Sequence, residues 1–169
     1  MACAVRALYL KTLAKRQKEF ALKQGDVSGK ALASELPEAD LYLFGRGEAQ
    51  RAYLVFGCHR VSEPDDAESR FRFAVWAPNA KGVSVVGDFN EWDQSANPME
   101  QVRKGIWSCV VTGLEDGSTY KYSVVGADGT VRLKADPYAF HAENGLSTAS
   151  KVWDLSGYEW SDDEWLAKR

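Results

Sequence analysis

Trp92 sits in the segment Gly87-Asp88-Phe89-Asn90-Glu91-Trp92-Asp93, which follows an apolar run and opens a polar loop. A large aromatic among hydrogen-bonding side chains at an exposed turn is a candidate sugar platform. Sugar rings present an apolar face of C–H groups that stacks on an indole with favourable dispersion and burial, while the ring-edge hydroxyls need donors and acceptors alongside. Asn90 and Lys121 can supply them. Lys121 lies between Tyr120 and Tyr122 in an alternating run, so burial of the tyrosines would turn its ammonium outward. The competing reading has Trp92 folded back over the edge of the domain, because Trp is highly buried on average.

Other reactive groups do not assemble into a site. Cleavage or transfer at a glycosidic bond needs two carboxylates held about 5 to 9 Å apart by rigid structure, whereas the acids here cluster in turns and in Asp162-Asp163-Glu164, which reads as a solvated loop. His59 and His141 are far apart and belong to no HExxH or Ser/His/Asp pattern, so each is expected to be a hydrogen-bonded structural side chain. His59 follows Cys58, but neighbours on an extended segment point opposite ways, which sets aside a shared metal or nucleophile role. Gly45-Arg46-Gly47 lacks the rest of a phosphate-binding GxGxxG and reads as a turn. Cys3, Cys58 and Cys109 are odd in number and never in CxxC spacing, arguing against a disulfide framework or a zinc site and for a reducing, cytoplasmic compartment. The expectation is no catalytic residue, no metal and no cofactor.

The elements that must hold Trp92 and Lys121 follow from composition and period. With 45% apolar residues a chain of 169 can build a core, but a whole β/α barrel takes about 250. Lys and Arg number 21 against 24 Asp and Glu, a net charge of −3, which favours a neutral ligand over nucleic acid or an anionic membrane. No apolar run approaches the roughly 20 residues of a membrane span, and no secretory leader is evident.

Residues 1–30 read as a basic arm, helical over Met1 to Lys23, and 31–60 as a lead-in of two short helices with Ser34 as N-cap. The arm is read as a solvated charged face, with contact to an anionic surface or a targeting role as alternatives. From 61 to 135 the period becomes two: Phe71, Phe73, Val75 and Ala77 share one face and Arg72, Ala74 and Trp76 the other. Val83 to Val86, Ile106 to Val111 and Tyr120 to Val125 continue the pattern, and Asp128-Gly129 turns into Val131 to Leu133. Short strands bounded by Gly, Pro, Asn and Asp predict an antiparallel sandwich. Trp76 and Trp107 are expected in the core or against another domain. Residues 136–169 hold neither period; Trp153, Tyr158, Trp160 and Trp165 make this tail an adhesive surface that needs something to pack against.

Phe71 to Asp93 (FRFAVWAPNAKGVSVVGDFNEWD) closely resembles the N-terminal module of glycogen branching enzymes, the sandwich of carbohydrate-binding module family 48. Gly105-Ile106-Trp107, Tyr120-Lys121-Tyr122, Lys134 to Phe140 (KADPYAF) and Ser147-Thr148-Ala149-Ser150 fall in the family's order and approximate spacing. Upstream, Arg51-Ala52-Tyr53 and Phe56-Gly57-Cys58-His59 are similar to a further family segment, so the resemblance spans about Leu41 to Arg169. It implies a mainly β fold, an immunoglobulin-like antiparallel β-sandwich with short N-terminal helices and a C-terminal extended tail. It also implies a parent enzyme that cuts an α-1,4-glucan and rejoins it through an α-1,6 bond. That enzyme's barrel acids lie downstream of these residues, with 136–169 as the opening of the barrel domain, so no catalytic residue carries over.

The related glycogen-binding modules of AMP-activated kinase β subunits use a Trp in the matching motif, a Lys in the matching strand and a second Trp in the next turn. Trp92 and Lys121 match the first two, and Asp128-Gly129-Thr130 has no aromatic. Loss of one stacking contact, about 1 to 2 kcal/mol, would weaken binding roughly tenfold or more. Three tasks stay open: a module binding α-1,4-glucan (glycogen, amylopectin, maltooligosaccharides), a structural module bracing its own catalytic barrel in cis, and a regulatory glycogen-targeting subunit.

Overall fold

The computed structural model describes residues 36–62, 67–155 and 161–168. The basic arm, the Ser34 cap, Pro64-Asp65-Asp66, Tyr158 and Trp160 lie outside them. The described chain opens with helix α1 (Glu38–Gly45) and a 3₁₀ turn (Ala52–Leu54). Strands follow as β1 (Gly57–Arg60), β2 (Arg70–Trp76), β3 (Gly82–Gly87), β4 (Glu100–Arg103), β5 (Ile106–Thr112), β6 (Thr119–Val125), β7 (Val131–Lys134), β8 (His141–Ala142) and β9 (Ser150–Lys151), then helix α2 (Asp163–Ala167). One sheet has the order β1-β2-β5-β4 and the other β3-β6-β9-β8, with β7 also paired to β6; every pairing is antiparallel.

The period-two reading of the core faces holds. Phe71, Phe73 and Val75 of β2 and Trp107, Cys109 and Val111 of β5 join Val83 and Val85 of β3 and Tyr120 and Tyr122 of β6 in one buried cluster between the sheets. The rings of Phe73 and Tyr120 meet edge to face across this layer, 5.0 Å apart. Trp107 is buried as expected and donates its indole N–H to the Ala77 carbonyl at 3.1 Å. This is an immunoglobulin-like β-sandwich.

The other face of the first sheet is clad rather than wet. Ala74 and Ile106 point away from the main core, yet both are buried beneath Leu36, Leu41, Val55 and Phe56 of the lead-in. Phe56 stacks on Tyr138 at 5.5 Å and meets the tilted ring of Phe44 at 4.5 Å, so this second cluster fixes the lead-in to the sheet. The first predicted helix is α1; the second is only the 3₁₀ turn, because the chain must enter β1 at Gly57. Gly57 has φ +99, and a Cβ there would come within 2.9 Å of the Tyr138 carbonyl oxygen, so only glycine lets the two segments meet. Trp76 extends past this cover, 54% exposed, with its ring edge against Phe44.

Residues 136–152, read from sequence as the start of a following domain, supply β8 and β9 and place Val152 in the main core. Buried Asp136 pins them. Its Oδ2 accepts from the hydroxyls of Tyr120 (2.7 Å) and Tyr122 (3.0 Å), its Oδ1 from the Tyr138 N–H (2.8 Å), and its own N–H donates to Ser150 Oγ (2.9 Å). Burial holds its carboxyl above the usual range although these hydrogen bonds pull the other way. The tail therefore satisfies the period-two sheet through polar side chains that period alone does not register.

Candidate functional site

The Trp92 loop is built outward from the last rung of β3. Gly87 pairs with Tyr120, and a Cβ at Gly87 would run into the Thr119 carbonyl and the Phe89 ring, so the chain passes close over β6 there. Residues Asp88–Asn90 form a 3₁₀ turn, and Asp88 Oδ2 accepts from the Thr119 N–H at 3.1 Å. Phe89 packs against the main core. The Asn90 side chain accepts from the Gly87 N–H (2.9 Å) and donates to the Val85 carbonyl (3.0 Å) and to Asn97 Oδ1 (2.8 Å). Both of its amide hydrogens are therefore used inside the loop.

Glu91 and Trp92 then take left-handed conformations, φ 55 and φ 61, and the Trp92 N–H returns to the Gly87 carbonyl at 2.8 Å. Trp92 is 39% exposed. Asp93 closes the turn by accepting from the Ser95 N–H and hydroxyl, both at 2.8 Å, which hold its carboxyl below the usual range.

Lys121 stands opposite Val86, one rung from the Gly87–Tyr120 pair that anchors the loop. With Tyr120 and Tyr122 in the core, Lys121 faces outward, as the alternation required. Its Nζ donates to Thr148 Oγ1 at 2.8 Å. Thr148 belongs to a loop closed by hydrogen bonds between Glu143 and Ala149, with Leu146 fully exposed at its tip. The register also puts Leu133 beside Ser123 and Val131 beside Val125 on the outward face of β6 and β7, each about half exposed. An indole, an ammonium, a hydroxyl and aliphatic side chains are what a sugar ring requires of a binding surface.

Residues 55–139 match the family model of carbohydrate-binding module 48, the isoamylase N-terminal domain. The chain belongs to this family. It is 50% identical over 131 residues to the 1,4-alpha-glucan branching enzyme GlgB of Oleidesulfovibrio alaskensis, a match covering 77% of this chain and 20% of that protein. It is 49% identical over 137 residues to the protein of the same name from Rhodococcus jostii, covering 79% and 19%. The chain thus spans about a fifth of the length of the curated relatives it matches. Among solved structures it is similar to a pullulanase from Bacillus acidopullulyticus, 27% identical with a TM-score of 0.45, covering 59% of this chain and 12% of that one.

In this carbohydrate-binding module the three residues singled out from sequence lie on or beside one end of the second sheet, but in different states. Trp92 and Lys121 have outward groups, while Asn90 is engaged in the loop's own structure. Thr148 went unnoticed because its contact with Lys121 crosses 27 positions of sequence. The hairpin at Asp128 has no aromatic: Thr130 and Arg132 donate to the Asp128 carboxylate, holding it well below the usual range.

Other reactive groups stay apart. No cluster of His, Cys, Asp and Glu able to hold a metal ion occurs among the described residues. Cys58 and Cys109 are buried free thiols, and burial pushes Cys109 up to about 12. The His59 ring nitrogen Nε2 hydrogen-bonds the Phe56 carbonyl at 2.9 Å, and burial depresses its basicity. His141 Nδ1 is buried without a hydrogen-bond partner among the described residues, and the ring stacks on Trp153 at 4.8 Å. No helix among the described residues is long and apolar enough to cross a membrane.

Proposed function

We propose that this module binds α-1,4-glucan chains, of the kind found in glycogen, amylopectin and maltooligosaccharides, around Trp92 and Lys121. It would position them for a branching-enzyme barrel on the same polypeptide, into which the residues following the sandwich lead. The observation that carries this reading is the partly exposed Trp92 on an internally braced loop, with outward Lys121 one rung from the Gly87–Tyr120 pair that anchors that loop. The half-exposed Leu133 offers further apolar contact where the hairpin lacks an aromatic. A cytoplasmic setting belongs to the same reading and is supported by the unpaired Cys58 and Cys109. Electrophoresis through a gel containing amylopectin tests it: the chain is retarded, and Trp92→Ala restores normal migration. Equal, normal migration of both proteins overturns it.

A second reading, a module whose main task is to brace the barrel, is favoured by aromatic surface away from Trp92. Trp76, Tyr42 and Tyr53 are about half exposed, as are Trp153 and Trp165 of the tail. It predicts that deleting the module lowers the melting temperature of the longer enzyme. An unchanged melting temperature counts against it.

A further inference from the structure

The geometry points to Asn90 and Asn97 as a positioning pair that holds the Trp92 indole in place before any sugar arrives, an inference that rests on Trp92 being the glucan platform. A carboxamide has two hydrogens to donate, and Asn90 spends them on the Val85 carbonyl and Asn97 Oδ1. None remains for a sugar hydroxyl, so Asn90 acts through the loop rather than on the ligand. Asn97 is itself registered to the sheet: its carbonyl accepts from the Val85 N–H at 2.9 Å, and the next residue, Pro98, bridges Ser84. The Asn90–Asn97 hydrogen bond therefore ties the two limbs of the 88–98 loop together and fastens both to β3.

The clasp spans the most strained backbone in the described chain. Glu91 and Trp92 are its only non-glycine residues with positive φ, and they are consecutive. Side chains bearing a Cβ disfavour that region, and such conformations persist only where the surroundings over-determine them. Here the surroundings are the Trp92 N–H bond to Gly87, the Asn90 network and the Asp88 bond to Thr119. Released from the clasp, the pair relaxes toward ordinary backbone angles and the indole is free to collapse onto the module. A platform fixed beforehand spares the ligand the cost of ordering it.

The test titrates maltoheptaose into the full chain and three variants. Asn97→Asp keeps an acceptor for the Asn90 amide and is expected to bind within about twofold of the parent, whereas Asn97→Ala removes it and is expected to bind about fivefold more weakly by loss of pre-organisation. Trp92→Ala is expected to show no binding. A fluorine label on the tryptophans, with the Trp92 resonance assigned by its loss in Trp92→Phe, should shift or broaden in Asn97→Ala and not in Asn97→Asp. Parent-like binding by Asn97→Ala beside a dead Trp92→Ala overturns the positioning pair and leaves the platform standing. Parent-like binding by Trp92→Ala overturns the platform itself. Should Asn97→Ala fail to fold, Glu91→Gly loosens the same turn while relieving its strain; a melting temperature at or above the parent's with affinity reduced about threefold supports pre-organisation, and unchanged affinity overturns it.

Discussion

The hydroxyl of Tyr120 donates to Oδ2 of Asp136 at 2.7 Å, and both residues are buried. This bond crosses from the central strand of the second sheet to the segment that would otherwise leave the sandwich after β7. Tyr122 and the Tyr138 N–H converge on the same carboxylate. Asp136→Ala strands two buried hydroxyls and a part-buried N–H, each costing about 1 to 3 kcal/mol when buried, and is expected to lower stability by about 3 to 5 kcal/mol in urea unfolding. Tyr122→Phe removes one donor and leaves the carboxylate served, for about 1 kcal/mol. Equal losses in the two variants would show that Asp136 is not the hub.

The same carboxyl makes stability depend on pH. Its folded pKa is raised, chiefly by burial, above an unfolded value of about 3.9. The folded state thus binds the proton more tightly, so the associated stabilisation is present below the unfolded pKa and lost as pH rises through the folded one. Relative to Asp136→Asn, the parent chain is expected to lose stability as pH is raised from about 4 toward neutrality. Urea midpoints measured in parallel across that range decide it, and a constant difference between the two proteins contradicts the assignment.

Lys121→Met keeps the aliphatic stem and removes the ammonium together with its bond to Thr148. Glucan affinity is expected to fall about tenfold, the order of one lost charged hydrogen bond, with stability changed by less than about 0.5 kcal/mol because the group is on the surface. Titration with maltoheptaose and thermal unfolding of the same sample separate the two effects. A drop in stability with intact affinity would reassign Lys121 to the scaffold.

Phe56→Ala is expected to cost about 3 to 5 kcal/mol, as truncation of a fully buried aromatic does. Trp76→Ala, at a half-exposed position on the same side, is expected to cost about 1 kcal/mol. Comparable losses would mean that the lead-in does not form an independent layer over the first sheet. Chemical denaturation of both variants measures the difference.

Strands β2, β3, β5, β6 and β7 are legible in the sequence because their apolar residues alternate and Pro78-Asn79, Lys104-Gly105 and Asp128-Gly129 mark their turns. β4 reads EQVR, mostly charged or polar, and β8 and β9 are two residues each, too short for a period to register. Ala74 alternates correctly with Phe73 and Val75, but alternation cannot distinguish an outward residue that meets water from one beneath a second layer. The site follows the same division. Outward placement of Lys121 follows from two flanking tyrosines, whereas Thr148 reaches it only through the folded chain. Asn90 was visible as a polar residue beside Trp92, but residue type does not reveal whether an amide is free or already spent.

The lead-in covering the first sheet gives the sandwich a back and a front. Leu36, Leu41 and Phe56 occupy one side, Lys121 and Leu133 the other, and two sheets about 10 Å apart stand between them. The sandwich separates the two sides, so their substitutions should combine nearly additively. Substitutions among the few loop and sheet-face residues at the front are therefore expected to leave the packing at the back unchanged.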